Sequence, residues 1–310
     1  MRGRAGAVSL AAVTLAALPP AAPAQTEGSI VAALSGSTRA QALADAGVAL
    51  VGDPGSVFAN PSGIATIRRW AIEGSFESYL AGTSYTSGAF VARLGQFTWG
   101  LGLQALAFGS EPEIVPDPAS GGRRGIPTGA SFTAADVLGL SALVYRFKLF
   151  AVGASAKYTR QTVADWSADA WAADVGLAIA VFDIAALGAA VQNIGGDLGN
   201  GAGLPSRTRV GMTLNFTDPQ GSVRALSSFE GRWTEATPAV FAMGLELGVH
   251  PSGIGVLGRI GFETPGAVGD RSPWSLGGGV VVGSLRLDYA YGDFDVLGAG
   301  THRVGLRWKP

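Results

Sequence analysis

Arg207-Thr208-Arg209-Val210-Gly211-Met212-Thr213-Leu214-Asn215-Phe216 changes character at every residue. Thr208, Val210, Met212, Leu214 and Phe216 form one row, and Arg207, Arg209, Gly211, Thr213 and Asn215 form the other. Period two marks a strand whose faces meet different surroundings. The same alternation returns at 285–292, where Leu285, Leu287, Tyr289 and Tyr291 oppose Arg286, Asp288, Ala290 and Gly292. At the C-terminus Val304, Leu306 and Trp308 oppose Arg303, Gly305 and Arg307, and at 97–104 Phe97, Trp99, Leu101 and Leu103 oppose small or polar residues.

Marking such segments predicts strands at 69–79, 84–94, 97–109, 135–146, 150–160, 168–181, 184–194, 206–216, 222–233, 239–249, 254–264, 274–282, 285–292 and 301–308. Most reach the ~9–11 residues that a tilted strand needs to cross a bilayer. The connections tend to alternate. Gly95-Gln96, Phe147 to Leu149, Phe182-Asp183, Thr217 to Gly221, His250 to Gly253 and Gly283-Ser284 are tight. Ser110 to Ala134, Gly195 to Pro205, Pro265 to Pro273 and Asp293 to Gly300 read as longer loops, while those near Ala81 and Glu235 are short. Short turns at one end, long loops at the other and an even strand number belong to outer-membrane barrels. In hydrocarbon every backbone N–H and C=O needs an internal partner, so an all-strand protein must close. The expected fold is therefore an all-β transmembrane antiparallel barrel of about fourteen strands.

Composition agrees. Glycine supplies 47 of 310 residues and charged residues only 15%, against about 25% in soluble domains. Trp70, Trp99, Trp233, Trp274 and Trp308 fall near expected strand ends, where interfacial girdles sit, and Trp171 is less clear. The apolar run Val175 to Val191 carries Asp183 at its middle and reads as two strands rather than a spanning helix. At the start, Arg2 and Arg4 precede an apolar stretch from Ala5 to Leu18 and an Ala22-Pro23-Ala24 cleavage site. Residues 1–24 thus read as a signal peptide, 25–67 as a separate N-terminal segment and 68–310 as the barrel. Loss of Arg2 and Arg4 moves the formal charge from -1 to -3, which gives no reason to expect nucleic acid.

Gly36 to Ile67 does not alternate. It reads Ala-Gln-Ala-Leu-Ala-Asp-Ala-Gly at 40–47, Gly52-Asp53-Pro54-Gly55, and then Asn60-Pro61-Ser62-Gly63-Ile64-Ala65. Asn and Pro initiate turns and Gly63 permits positive φ, so a tight turn after a short helix is expected there. This segment resembles the N-terminal region of the PorV/PorQ family of outer-membrane proteins, relatives of FadL-type transporters, with Ser62 where Ala is commoner. Gln192-Asn193-Ile194-Gly195, Leu204-Pro205 and Arg209-Val210-Gly211 are similar to that family's middle pattern. Asp288-Tyr289-Ala290-Tyr291, Leu297-Gly298 and Thr301-His302-Arg303 resemble its closing hairpin. The chain departs from the usual aromatic end, because Lys309 and Pro310 follow Trp308.

The resemblance implies a fourteen-stranded barrel with residues 25–67 folded into the lumen as a plug or hatch around Asp53, Asn60, Pro61, Ser62 and Gly63. Some relatives pass hydrophobic compounds, and others are accessory or shuttle proteins of type IX secretion. Expected partners are outer-membrane lipid, the barrel-assembly machinery, and either a hydrophobic ligand or secreted proteins. Ser110 to Ala134 is the loop such secreted proteins would meet, and a structural barrel without transport is a third reading.

Strand parity puts Arg207, Arg209, Arg224, Glu230, Arg232, Glu246, Arg259, Glu263, Arg286, Asp288, Arg303 and Arg307 on the lumen side. Such a ladder either braces the interior or selects a solute. No enzyme is expected. The two histidines, His250 in a turn and His302 at lipid-facing parity, have no hydrolase motif around them. Without cysteine, paired histidine spacing or an acidic calcium loop, neither a metal nor a cofactor is expected. Asp293 and Asp295 read as solvated loop acids, and Gly277-Gly278-Gly279 as a strand interior rather than a phosphate cradle.

Overall fold

The computed structural model describes residues 28–181, 184–199, 202–217, 221–235, 237–265, 272–294 and 299–310. The expected signal peptide, the Phe182-Asp183 turn, Asp295 and Leu297-Gly298 lie outside the described residues. Fourteen described strands follow one another: β1 (Trp70–Ser78), β2 (Ser84–Leu94), β3 (Phe97–Pro116), β4 (Gly125–Phe147), β5 (Phe150–Val163), β6 (Trp166–Val181) and β7 (Ala185–Ile194), then β8 (Arg207–Asn215), β9 (Val223–Thr234), β10 (Val240–Val249), β11 (Ile254–Glu263), β12 (Trp274–Val282), β13 (Leu285–Phe294) and β14 (Ala299–Trp308). Each pairs antiparallel with its sequence neighbours, and β14 pairs with β1 through Ile72↔Trp308 to Ser78↔His302. The barrel is closed.

Burial runs opposite to that of a water-soluble protein. On β13 the outward Leu285, Leu287 and Tyr289 are 47%, 50% and 40% exposed, whereas Arg286 and Asp288 are 5% and 6% exposed. The same inversion holds on β10, where Met243, Leu245 and Leu247 face out and Glu246 is fully buried. A continuous apolar outer wall is stable only against hydrocarbon, which makes this a transmembrane barrel. Aromatic pairs border it at both ends. Trp70 meets Trp308 edge-on at 4.8 Å and Phe90 meets Trp99 at 6.3 Å at the short-turn end. At the other end Phe262 meets Trp274 at 5.0 Å and Tyr158 meets Trp171 at 5.0 Å.

The structure corrects one long loop. Residues 110–116 and 125–134, expected as part of the Ser110 to Ala134 loop, continue β3 and β4 as a protruding hairpin, with irregular register between Ala107/Ser110 and Pro112/Ile114. Beyond Ala107 and Ala134 these arms pair only with each other, since β2 and β5 have ended. One edge of each arm is therefore free, where Pro112, Pro116 and Pro127 withhold no needed N–H. Both faces are largely exposed, so no apolar alternation announced a strand. The β5–β6 connection is also shorter than expected, with the strands extending to Val163 and from Trp166.

Candidate functional site

The described residues between Gly28 and Ile67 are mostly buried, and they meet the inward faces of strands all around the ring. Bonds run from Ser29 to Asp136 on β4, from Tyr85 on β2 to the Ser35 carbonyl, and from Asn60 to the Leu177 carbonyl on β6. Others reach Glu230 on β9, Glu246 on β10 and Ser275 on β12. This segment contains one helical turn, Thr38–Gln41, a short 3-10 turn at Ile30–Ala32, and two proline-led 3-10 turns, Pro54–Phe58 and Pro61–Thr66. In these last two turns the leading proline's missing N–H costs nothing at that position.

Asn60 shows why its residue type is required. Its Oδ1 accepts from the Ser62 N–H at 3.0 Å and the Ser62 hydroxyl at 2.6 Å, capping the second turn. Its Nδ2 donates to the carbonyls of Val48 at 2.8 Å and Leu177 at 3.1 Å, tying the turn to the segment and to the wall. An aspartate would lose both donors. Gly176 stands opposite, and a Cβ there would fall on the Asn60 side chain. The expectation for Gly63 is corrected. It lies within the 3-10 turn Pro61–Thr66 without positive φ, and glycine is needed for space, because a Cβ would come within 2.9 Å of the Leu50 carbonyl oxygen.

One side of the contact is ionic. Arg39 donates to Glu246 through Nε and Nη2, both at 2.9 Å, and to Asp53 through Nη1. Glu246 also receives Arg224, Arg259 at 2.7 Å and Arg286 at 3.2 Å, so four guanidiniums converge on one carboxylate. Asp288 accepts from Arg259 and Arg286, each at 2.8 Å, and Arg307 pairs with Asp53. A second knot joins Asp45 to Arg209 at 3.1 Å and Arg232 at 3.3 Å. Glu230 binds Arg209 at 2.6 Å and accepts the Val48 N–H at 2.7 Å, while Arg232 reaches Glu263 at 2.6 Å. Burial alone would raise the pKa of Asp45, but the charges of Arg209 and Arg232 outweigh it and lower the value to about 2. Arg207 donates to the Ala33 carbonyl at 2.9 Å. Arg303 donates to Gln41 Oε1 and the Ser35 carbonyl and lies over the Tyr85 ring at 5.0 Å.

The other side is apolar. Val31, Val57, Phe58, Ile64 and Ile67 pack in one cluster with Ala89, Leu106, Leu138, Ala142, Ala151 and Ala178 of β2 to β6. Wall glycines make room: a Cβ at Gly102 would meet the Phe58 ring at 2.6 Å, and one at Gly100 would meet Ile64 at 2.8 Å. Toward the long-loop end this side turns polar, with Lys157 held by Asp174 at 2.8 Å and Asn193 at 2.9 Å.

Every charge that parity assigned to the lumen side is at least partly buried, and the structure gathers these charges into the two knots and their fringe rather than one continuous ladder. Sequence reasoning missed Arg39 and Asp45, whose only signal was charge in an alanine-rich stretch. It also missed Glu73, Glu77, Asp136, Lys157 and Asp174, which the parity of their strands would have found. His302 shares a 2.7 Å hydrogen bond with Tyr289 on the exposed face. A small cavity lined by Asp45, Phe58, Gln192, Arg207 and Arg209 has about 20 Å³ of free volume, room for about one water. Among the described residues no acidic or histidine group is arranged to hold a metal.

A scan against protein-family models finds no match, and a search of the curated proteins finds none. Solved structures do resemble this one. The Ralstonia pickettii toluene transporter TbuX superposes with a TM-score of 0.56 at 14% identity, over 92% of this chain and 99% of that one. A Pseudomonas aeruginosa FadL homologue gives 0.57 at 14% identity, over 88% and 98%. The CymD monoaromatic hydrocarbon channel gives 0.58 at 10% identity, over 86% and 94%. The shared property is the fold: a FadL-like barrel of fourteen strands.

Proposed function

We propose that this protein is an outer-membrane channel for a hydrophobic or amphipathic solute, with residues 25–67 acting as a hatch in its lumen. The carrying observation is the apolar contact between the N-terminal segment and the glycine- and alanine-lined face of β2 to β6. Burial of apolar surface is non-directional, so a hydrophobic solute can replace Phe58 and Ile64 against that face with little loss. In the closed arrangement the segment fills the lumen, and passage requires its apolar part to move while the ion pairs of Arg39 and Asp45 anchor the rest. That TbuX is a toluene transporter and CymD a monoaromatic hydrocarbon channel favours transport over the secretion-accessory alternative. Grouping with PorV/PorQ proteins, on the motifs at 60–63, 192–195 and 288–291, belongs to the same proposal.

The chain has no cysteine, which makes a lock clean to build. Ala49 of the segment and Ala190 of β7 pack together. The pair Ala49→Cys/Ala190→Cys, oxidised to a disulfide, is expected to stop toluene entry into liposomes holding the barrel, and reductant to restore it. Equal entry in both redox states, with the disulfide verified, would refute the hatch.

A further inference from the structure

The short-turn rim carries a feature that channel function does not use. Arg68, Arg69 and Arg93 surround a shallow groove of about 620 Å³ whose other walls are Trp70, Phe90 and Ala92. Arg93 is fixed in place, donating through Nη1 to the Ala65 carbonyl at 3.0 Å and through Nε to the Gly95 carbonyl at 2.6 Å. Arg68 and Arg69 are exposed, and neither forms an ion pair with any described carboxylate. Lys309 stands apart from the groove, its ammonium donating to the Gly52 carbonyl at 3.3 Å. The long-loop end mixes signs instead, Glu113 and Asp117 standing with Arg123 and Arg124.

We propose that this groove binds the headgroup of an anionic glycerophospholipid in the leaflet that faces the short turns, with an acyl chain running up the outer wall beside Phe90. Guanidiniums match phosphate oxygens in bidentate geometry and bind them more specifically than a point charge does. The aromatic side of the groove sits where tryptophan marks the boundary between headgroups and hydrocarbon. Three uncompensated cations beside an apolar surface thus complement a phosphodiester joined to acyl chains better than a free anion or a neutral lipid. The proposal rests on the barrel lying in a membrane, and it is independent of whether the lumen conducts.

The test is native mass spectrometry of the full chain folded in detergent, offered dioleoyl phosphatidylglycerol or dioleoyl phosphatidylcholine. Phosphatidylglycerol is expected to be retained about tenfold better, Arg68→Ala/Arg69→Ala to abolish the preference, and Arg146→Ala/Lys148→Ala elsewhere on the rim to leave it intact. The wild-type preference should shrink as salt rises from about 50 to about 500 mM, which tests the idea even if the double variant fails to fold. Equal retention of the two lipids, equal loss in both double variants, or a salt-independent preference each overturns it. Displacement by an equal concentration of inorganic phosphate also overturns it, since the groove would then be an anion site and not a lipid site. Because solute entry is not the readout, failure here leaves the channel reading standing, and failure of the channel reading leaves this one.

Discussion

The strands β2 to β6 and the strands β8 to β14 hold the same N-terminal segment by opposite means. On the first side, alanine and glycine walls receive Val57, Phe58 and Ile64, and each contact depends on area and shape. On the second side, Arg39 and Asp45 enter knots in which carboxylates and guanidiniums are bonded atom to atom. The difference is one of replaceability. Apolar burial accepts any occupant of suitable volume, whereas a buried ion pair tolerates almost no change, because removing one partner strands the other charge. A single segment can therefore have a part that yields and a part that stays.

The sharpest way to break this contrast is at Glu246. Glu246→Ala leaves four guanidiniums facing one another without their shared carboxylate, and a loss of about 5 kcal/mol, or failure to fold, is expected in thermal unfolding followed by heat-modifiable gel mobility. A barrel as stable as the wild type would mean that the ionic knot anchors nothing. Phe58→Ala is expected to cost less, about 3 kcal/mol, and to raise the rate of toluene entry by loosening the apolar part. If stability falls while entry stays unchanged, the apolar contact is packing and not a route.

The smallest effect concerns pH. The folded pKa of Asp45, about 2, lies below the ordinary aspartate value of 3.8. Ionised Asp45 therefore stabilises the segment fully above about pH 4, by about 2 kcal/mol, and this contribution is lost as pH falls from about 4 through 2. Limited acid proteolysis by pepsin should begin to cut the segment in that window, and Asp45→Asn should be cut at neutral pH by a neutral protease. Protection of the wild type that persists unchanged to pH 2 would remove Asp45 from the anchor.

Much of the wall was legible because lipid and lumen impose opposite demands on successive residues. Arg286, Asp288 and Arg303 announced their side by alternating with leucine and valine. Where that contrast ends, legibility ends too. The outer arms of β3 and β4 meet water on both faces, and so their residues read as loop. Gly63 was read for its backbone freedom, whereas its role is set by how closely the Leu50 carbonyl approaches. The partners of the segment were hidden for another reason: Arg39 and Glu246 stand 207 positions apart, and Asp45 and Arg209 stand 164 apart.

By itself, then, the sequence determined that the chain alternates through strands long enough to cross a bilayer, with an even number of them. Those are local properties, set by side-chain period and by the backbone's demand for hydrogen-bond partners. Only the tertiary structure decided which charges share a knot, which wall is apolar, and that Arg68, Arg69 and Arg93 line one groove. The knots and the apolar wall depend on closure of β14 onto β1, which brings together residues whose separation along the chain carries no trace of their contact, and the groove depends on the pairing of β1 with β2, which sets Arg69 beside Arg93.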